Sequence, residues 1–421
     1  MGTHTYPLTP GVHPISPSLL DLRPDSAIDH ALLHPLPLSS TSSEKNIFFF
    51  WHSGFPSMPP YTQRNVRTWH RRFSKQGWTI RVLDRQPGSP LNVEKYLDVG
   101  DLGTFPQAFV EGRIGGEHAA QHTSDLVRFP LLLRYGGVYA DVGFMQIGDL
   151  DRLWDETIGN LESPYEVLSY NAGGVETRDL TNYFLCSRKN NPFFLRCHRL
   201  LLALWAENGV QSSTEGMHSS PLVKDVPRTT GEFEFDEDGK HYGPEEVAIM
   251  LMDYIIQGTA MTLVMGLIDE QDSWNGPEYV AKHIYAIEYM VGSQLINEYT
   301  AWNGQRAFDL MSLLLPGHDE TETQDQKLAR EIVEGCLSRS FGFKLAHGLI
   351  IRVLGQTLGS LWRRHTGSDD VVGTYAHWLR YGMVHWCPDE PPVALKFEVV
   401  KPLKRGRLLS VRLLEAQDEQ S

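Results

Sequence analysis

Cysteine is scarce: Cys186, Cys197, Cys336 and Cys387 are the four thiols in 421 residues, and no two have C-x-x-C spacing. That spacing excludes zinc-ribbon and dithiol redox motifs, and so few scattered thiols predict reduced side chains and a cytoplasmic protein. A basic excess is also lacking. With 38 Lys and Arg against 52 Asp and Glu the net charge is −14, which excludes a nucleic-acid partner, because phosphate binding needs a cationic surface. Long apolar runs are missing too. The nearest, Phe341 to Trp362, is interrupted by Lys344, His347 and Arg352, so no transmembrane segment is expected. Met1 to Tyr6 has neither a basic n-region nor an apolar h-region, and Tyr6 breaks the myristoylation pattern; no leader or lipid anchor is expected. No internal repeat is evident.

Enough apolar material is present to build a core: hydrophobic residues make up 41% and charged residues 21%. At about 150 residues per domain the length suggests two or three structural units. Residues 1–43 hold seven prolines and are expected to form an extended arm outside any sheet or helix, since proline lacks a backbone donor. Residues 44–160 read as an α/β core. Ile47-Phe48-Phe49-Phe50-Trp51 suits a strand buried on both faces, Tyr61 to Phe73 a helix with Val66, Trp69 and Phe73 on one side, and Trp78 to Leu83 a second strand. Strand, helix, strand at this spacing implies parallel pairing. Residues 161–317 are expected to be mostly helical and acceptor-facing, with an acidic loop at Gly231 to Lys240. Residues 318–421, after the polar stretch His318 to Gln326, are expected to close the site, and the tail Val393 to Leu414 alternates in places as strands do.

The block richest in chemistry is Ser124-Asp125-Leu126-Val127-Arg128, followed by Tyr135-Gly136-Gly137-Val138-Tyr139-Ala140-Asp141. Asp125 and Arg128, three apart, share a helix face. The double glycine caps that helix and turns the chain into a strand whose carboxyl end carries Asp141. Open α/β sheets bind ligands at that edge. Two carboxylates and a guanidinium gathered there suit a sugar, whose hydroxyls they can hold directionally, attached to a diphosphate, whose charge needs neutralising. An ordinary helix–turn–strand with a surface ion pair is the competing account, but it leaves the Gly-Gly-x-Tyr-x-Asp arrangement unexplained. His118 and His122 are four apart on the same helix, a zinc-compatible spacing, yet Ala119 stands where H-E-x-x-H has its glutamate; two packing histidines are the simpler reading.

These residues resemble the capsular polysaccharide synthesis type of glycosyltransferase, related to DXD-containing sugar transferases, and specifically its fungal members. The resemblance runs through Trp51-His52-Ser53-Gly54, the Asp125/Arg128 helix and Gly136-Gly137-Val138-Tyr139-Ala140-Asp141. Weaker pieces follow at Asn182-Tyr183-Phe184, Asn191-Pro192-Phe193, Gly216-Met217-His218 and Lys344-Leu345-Ala346-His347-Gly348. It implies a GT-A-like fold, a Rossmann-like mixed sheet with a helical insertion. It also implies transfer of a sugar from a nucleotide-sugar donor to an acceptor (small molecule, glycan or glycolipid), with a divalent metal, Mn2+ or Mg2+, assisting. By that resemblance Asp125, Arg128 and Asp141 are catalytic, and Trp51, Tyr139 and Asn182 bind the donor, with Trp51 stacking on its base. Asp141 and His347 are the expected metal ligands. Gly143 stands where a full DXD has its second aspartate, which leaves a non-catalytic nucleotide-sugar-binding relative as the runner-up; a metal-dependent hydrolase built on His118 and His122 is a third reading.

Overall fold

The computed structural model describes residues 6–38, 43–173, 178–207, 211–227 and 233–409. Its frame begins at Asn46–Phe50 (β1), followed by helix Pro60–Phe73 (α1) and strand Thr79–Leu83 (β2). Helix Ala119–Tyr135 (α2), with Pro130 inside it, leads into Gly137–Ala140 (β3) and the short Phe144–Gln146 (β4). Then come Val167–Asn171 (β5), Leu180–Ser187 (β6) and helix Pro192–Ala206 (α3). Helices Pro244–Tyr254 (α4) and Ile256–Met265 (α5) are bent by 77° at Ile255. Ile284–Glu288 (β7), helix Gln324–Arg339 (α6), Gly342–Lys344 (β8) and helix Tyr375–His385 (α7) complete the set. Among the described residues no single helix is long and apolar enough to cross a membrane.

Six strands form one mixed sheet in the order β7-β5-β6-β3-β1-β2. The strand–helix–strand unit pairs in parallel as its spacing predicts, with Ile47 opposite Ile80, and β3 joins β1 in parallel with Phe48 opposite Tyr139. Only β6 runs antiparallel to its neighbours β3 and β5. Both faces of β1 are covered, which is why its five residues are all buried. Phe48 and Phe50 pack toward α2, α3 and α5, while Ile47 and Phe49 pack toward Val66, Trp69 and Phe73 of α1.

Several expectations need correcting. The stretch expected to be mostly helical supplies β5, β6 and β7, half of the sheet: a short apolar run such as Tyr183 to Cys186 within β6 has no periodicity that separates a buried strand from a helix. The proline-rich arm is not excluded from regular structure. Val12–Pro14 pairs antiparallel with Trp386–Pro388, and a helix spans Asp25–Leu33. Proline is tolerated there because Pro14 ends an edge strand and Pro24 caps the helix, where no donor is needed. Within the acidic segment expected as a loop, Phe235–Glu237 and Lys240–Tyr242 form a hairpin; Gly231 and Glu232 lie outside the described residues. Of the tail, Lys404–Arg405 pairs with Leu267 and Ile268, and residues 410–414 lie outside the described residues.

The C-terminal part reaches back to the sheet edge. β8 pairs antiparallel with β4, setting Lys344 opposite Phe144. Helices α6 and α7 bury Val333, Leu337, Trp378 and Leu379 in a separate core together with Met145 and Ile147.

Candidate active site

The double glycine that ends α2 is required by space as well as conformation. Gly136 and Gly137 have φ of 65° and 99°, and a side chain at either would collide with the Glu44 carboxylate or the Asn46 carbonyl. The turn delivers Asp141 just past β3. Its backbone is pinned on every side: Asp141 N–H donates to Tyr183 O at 2.9 Å, Phe144 N–H to Asp141 O at 2.9 Å, Leu345 N–H to Gly143 O at 3.0 Å and Asn65 Nδ2 to Val142 O at 2.9 Å. A group meant to act on a developing charge gains from being fixed in advance.

Asp125 and Arg128 share a face of α2, and Arg128 Nη2 lies 2.8 Å from Asp125 Oδ1. The guanidinium is buried, stacks 4.8 Å over the Tyr139 ring, and donates through Nη2 to Ser124 Oγ at 3.1 Å and through Nη1 to the Asn182 carbonyl. Arg128 Nη2 is also 3.5 Å from Asp141 Oδ1, so the three residues expected to be catalytic form one cluster. Asn182 joins it: its Nδ2 reaches Asp125 Oδ1 and Gln257 Oε1, both at 3.3 Å, while Gln257 Nε2 donates to the Asp125 carbonyl at 2.8 Å. Tyr139 sits one layer lower, fully buried, with its hydroxyl 2.6 Å from Ser124 Oγ; it can reach a ligand only by supporting Arg128 and Ser124. Trp51 follows β1, the strand beside β3, and is half-buried, with its indole N–H donating to Ser57 Oγ at 3.1 Å. It therefore lies at the same carboxyl edge as Asp141.

The site holds one residue that the sequence reading left without a role. Lys344 Nζ is 2.6 Å from Asp141 Oδ2 and 5.6 Å from the centre of the Tyr183 ring. Burial alone would raise the Asp141 carboxyl, but the Lys344 ammonium and the Arg128 guanidinium outweigh it and hold the group below its ordinary range. The signal was in the sequence, three residues before His347, but only the pairing of β8 with β4 brings it to Asp141.

His347 is half-buried, with Nε2 3.2 Å from the Tyr61 hydroxyl; burial, with the Lys344 charge adding to it, pulls its pKa down to about 3. A Cβ added at Gly143 would stand 3.0 Å from the His347 ring and 3.1 Å from the Leu345 carbonyl oxygen. The missing second carboxylate is thus matched by a tightly filled space. Gly348, with φ of 63°, admits the Tyr254 ring from the end of α4, where a side chain would block it.

The two helix histidines face other partners. The His118 and His122 rings are 6.3 Å apart and nearly perpendicular, and His122 meets Asp125 at 3.5 Å and Thr214 Oγ1 at 3.1 Å. The Met217–Ser219 turn is held by Asp253, whose carboxylate accepts from Gly216 N–H and His218 N–H at 2.8 Å and lies 2.9 Å from His218 Nδ1.

Comparison with known proteins completes this picture. A family model described as capsular polysaccharide synthesis protein matches residues 27–212. The O-glycosyltransferase braB of Annulohypoxylon truncatum is 31% identical over 402 residues, spanning 94% of this chain and 91% of that one. PaGT of Phomopsis amygdali, also an O-glycosyltransferase, is 32% identical and covers 89% of each chain. The glycosyltransferase afumC of Aspergillus fumigatus is 31% identical over 88% of this chain and 92% of its own. Among solved structures, the PaToxG glycosyltransferase aligns with a TM-score of 0.27 and 16% identity over 44% of this chain and 69% of that one, too distant to assign a fold. With a mixed sheet carrying a carboxylate–guanidinium cluster at its edge, and relatives of this kind along almost its whole length, the protein is a glycosyltransferase. It belongs to the capsular polysaccharide synthesis type, alongside these fungal enzymes.

Proposed function

We propose that this enzyme takes a sugar from a nucleotide-sugar donor and places it on a hydroxyl oxygen of its acceptor, on a GT-A-like sheet in the cytoplasm. The observation that carries the reading is the joining of Asp125, Arg128, Asn182 and Asp141 at the carboxyl edge of β1 and β3. Trp51 at the end of β1 offers an aromatic face for the donor base, which extends the cluster into a binding surface. Asp125 and the Asn182 amide hold sugar hydroxyls, and Arg128 fixes Asp125 in place. The reaction breaks the bond between the anomeric carbon and the diphosphate oxygen and forms one to the acceptor oxygen. The four buried free cysteines suit a reducing cytoplasm, and the similarity to braB and PaGT, both named O-glycosyltransferases, supports oxygen as the acceptor atom.

The alternatives have less behind them. Relatives named as glycosyltransferases favour an enzyme over a non-catalytic binder. A zinc hydrolase would need His122 free, whereas its ring is engaged by Asp125 and Thr214. A thermal-shift panel of nucleotide sugars tests the reading: a donor at about 100 times its Kd stabilises by roughly 2.7 kcal/mol, an easily measured shift. A panel in which no nucleotide sugar shifts the melting temperature contradicts it.

A further inference from the structure

Resting on the reading just given, a donor diphosphate must meet compensating positive charge at the sheet edge, and the structure offers two sources. The residues that the resemblance suggests for a metal do not fit a resident divalent ion, which needs several oxygen or nitrogen ligands free to point at it. Asp141 is a single carboxylate, and both of its oxygens already face cations: Lys344 at 2.6 Å and Arg128 at 3.5 Å. Position 143 has no carboxylate, and the space a side chain there would need is taken by His347 and the Leu345 carbonyl. The remaining ligand candidate, His347 Nε2, faces the Tyr61 hydroxyl at 3.2 Å. Among the described residues no group of three or more His, Cys, Asp or Glu side chains could hold an ion.

We propose that Lys344 is a catalytic residue whose ammonium, backed by Arg128, neutralises the donor diphosphate at the position where a metal ion would otherwise stand. An ammonium has three N–H donors, so Lys344 can keep Asp141 as one partner and give the others to phosphate oxygens. Asp141 then orients the ammonium. As the bond between the anomeric carbon and the diphosphate oxygen breaks, the electron pair passes to that oxygen beside Lys344. The acceptor oxygen bonds to the anomeric carbon, and its proton leaves to the departing diphosphate. The pairing of β8 with β4 makes this possible, since it fixes Lys344 against the Asp141 turn from a strand 203 residues away in sequence.

The test is calorimetric binding of UDP, GDP and ADP, with uridine, guanosine and adenosine as phosphate-free controls, to the full chain in EDTA and in Mn2+. For whichever diphosphate binds, the wild type is expected to show a Kd in EDTA within about threefold of that in Mn2+. Lys344→Met, which keeps the aliphatic stem, is expected to weaken diphosphate binding in EDTA at least tenfold and leave the nucleoside unaffected; Lys344→Arg is expected to restore most of the loss. Retained nucleoside affinity shows that the variant is folded. A wild type that loses diphosphate affinity more than tenfold in EDTA, with Lys344→Met matching it in both conditions, overturns the proposal and assigns the charge to an ion. If no diphosphate and no nucleoside binds under either condition, the donor reading itself fails, and this proposal with it.

Discussion

At the level of single residues, the site is charge held in place. Arg128 makes a fixed fork, reaching Asp125, Ser124 and the Asn182 carbonyl while its plane lies on Tyr139. A lysine keeps the charge but can neither fork nor stack in this way. Arg128→Lys should therefore lower kcat/KM by tenfold or more, which is about 1.4 kcal/mol of transition-state stabilisation; steady-state kinetics with near-normal values would remove Arg128 from the site. Trp51→Ala should raise the donor KM and leave the far-UV circular dichroism unchanged, because the indole is only half-buried and bonded to Ser57. A variant that unfolds instead would mark Trp51 as part of the core. Much of this cluster was legible in the sequence. Asp125 and Arg128 were one helix turn apart, and Gly136-Gly137 announced both the end of the helix and the strand leading to Asp141. Lys344 was not assigned, because its contact with Asp141 depends on strands distant in sequence.

Elements determine how firmly the site is held. The Asp141–Gly143 turn hangs on Asn65 of α1, whose side-chain oxygen accepts from Arg380 of α7. Arg380 in turn donates to Asp369 at 2.8 Å, and Asp369, with no exposed surface, also binds Arg64 of α1. One carboxylate thus joins two helices to the Asp141–Gly143 turn. Burial alone would raise Asp369, but Arg380 and Arg64 hold its carboxyl below the ordinary range. Asp369→Asn would leave the buried Arg380 guanidinium without its carboxylate partner and Arg64 with Asp370 alone, 3.7 Å away, and removing one partner of a buried pair costs about 3–5 kcal/mol. Urea denaturation should show a loss of that size together with reduced activity; a change below about 1 kcal/mol would mean that the network does not hold the turn. This network was not legible, since Thr366 to Asp370 reads only as a polar loop. The strands β1, β2 and β3 could be read because each follows a turn or helix signal. By contrast β5 and β6 are too short to show a period, and their apolar residues fit a helix as well as a strand even with Pro164 and Gly173-Gly174 flanking β5.

For the whole molecule, burial of imidazole makes stability depend on pH. His198, inside α3, is pulled by burial from 6.5 to about 4, and His347 to about 3. Below about pH 6.5 the unfolded chain takes up protons at these positions and the folded chain does not. The unfolded state then binds more protons, so stability is full above about 6.5 and falls as the pH drops toward about 4. One fully buried imidazole contributes up to about 1.4 kcal/mol per pH unit; His347, partly exposed, contributes less because water screens it. His198→Gln should flatten the slope of stability between pH 6.5 and 4 measured by denaturant titration, and an unchanged slope would contradict the assignment. The central claim about the molecule is sugar transfer at the edge that carries Asp141, and turnover of a nucleotide-sugar panel by wild type and Asp141→Asn tests it most directly. The wild type should release nucleoside diphosphate with at least one donor and Asp141→Asn should lose that activity, with the variant still folded by circular dichroism although less stable, since Lys344 loses its carboxylate partner while Arg128 keeps Asp125. Wild-type turnover retained by Asp141→Asn with every accepted donor would contradict it.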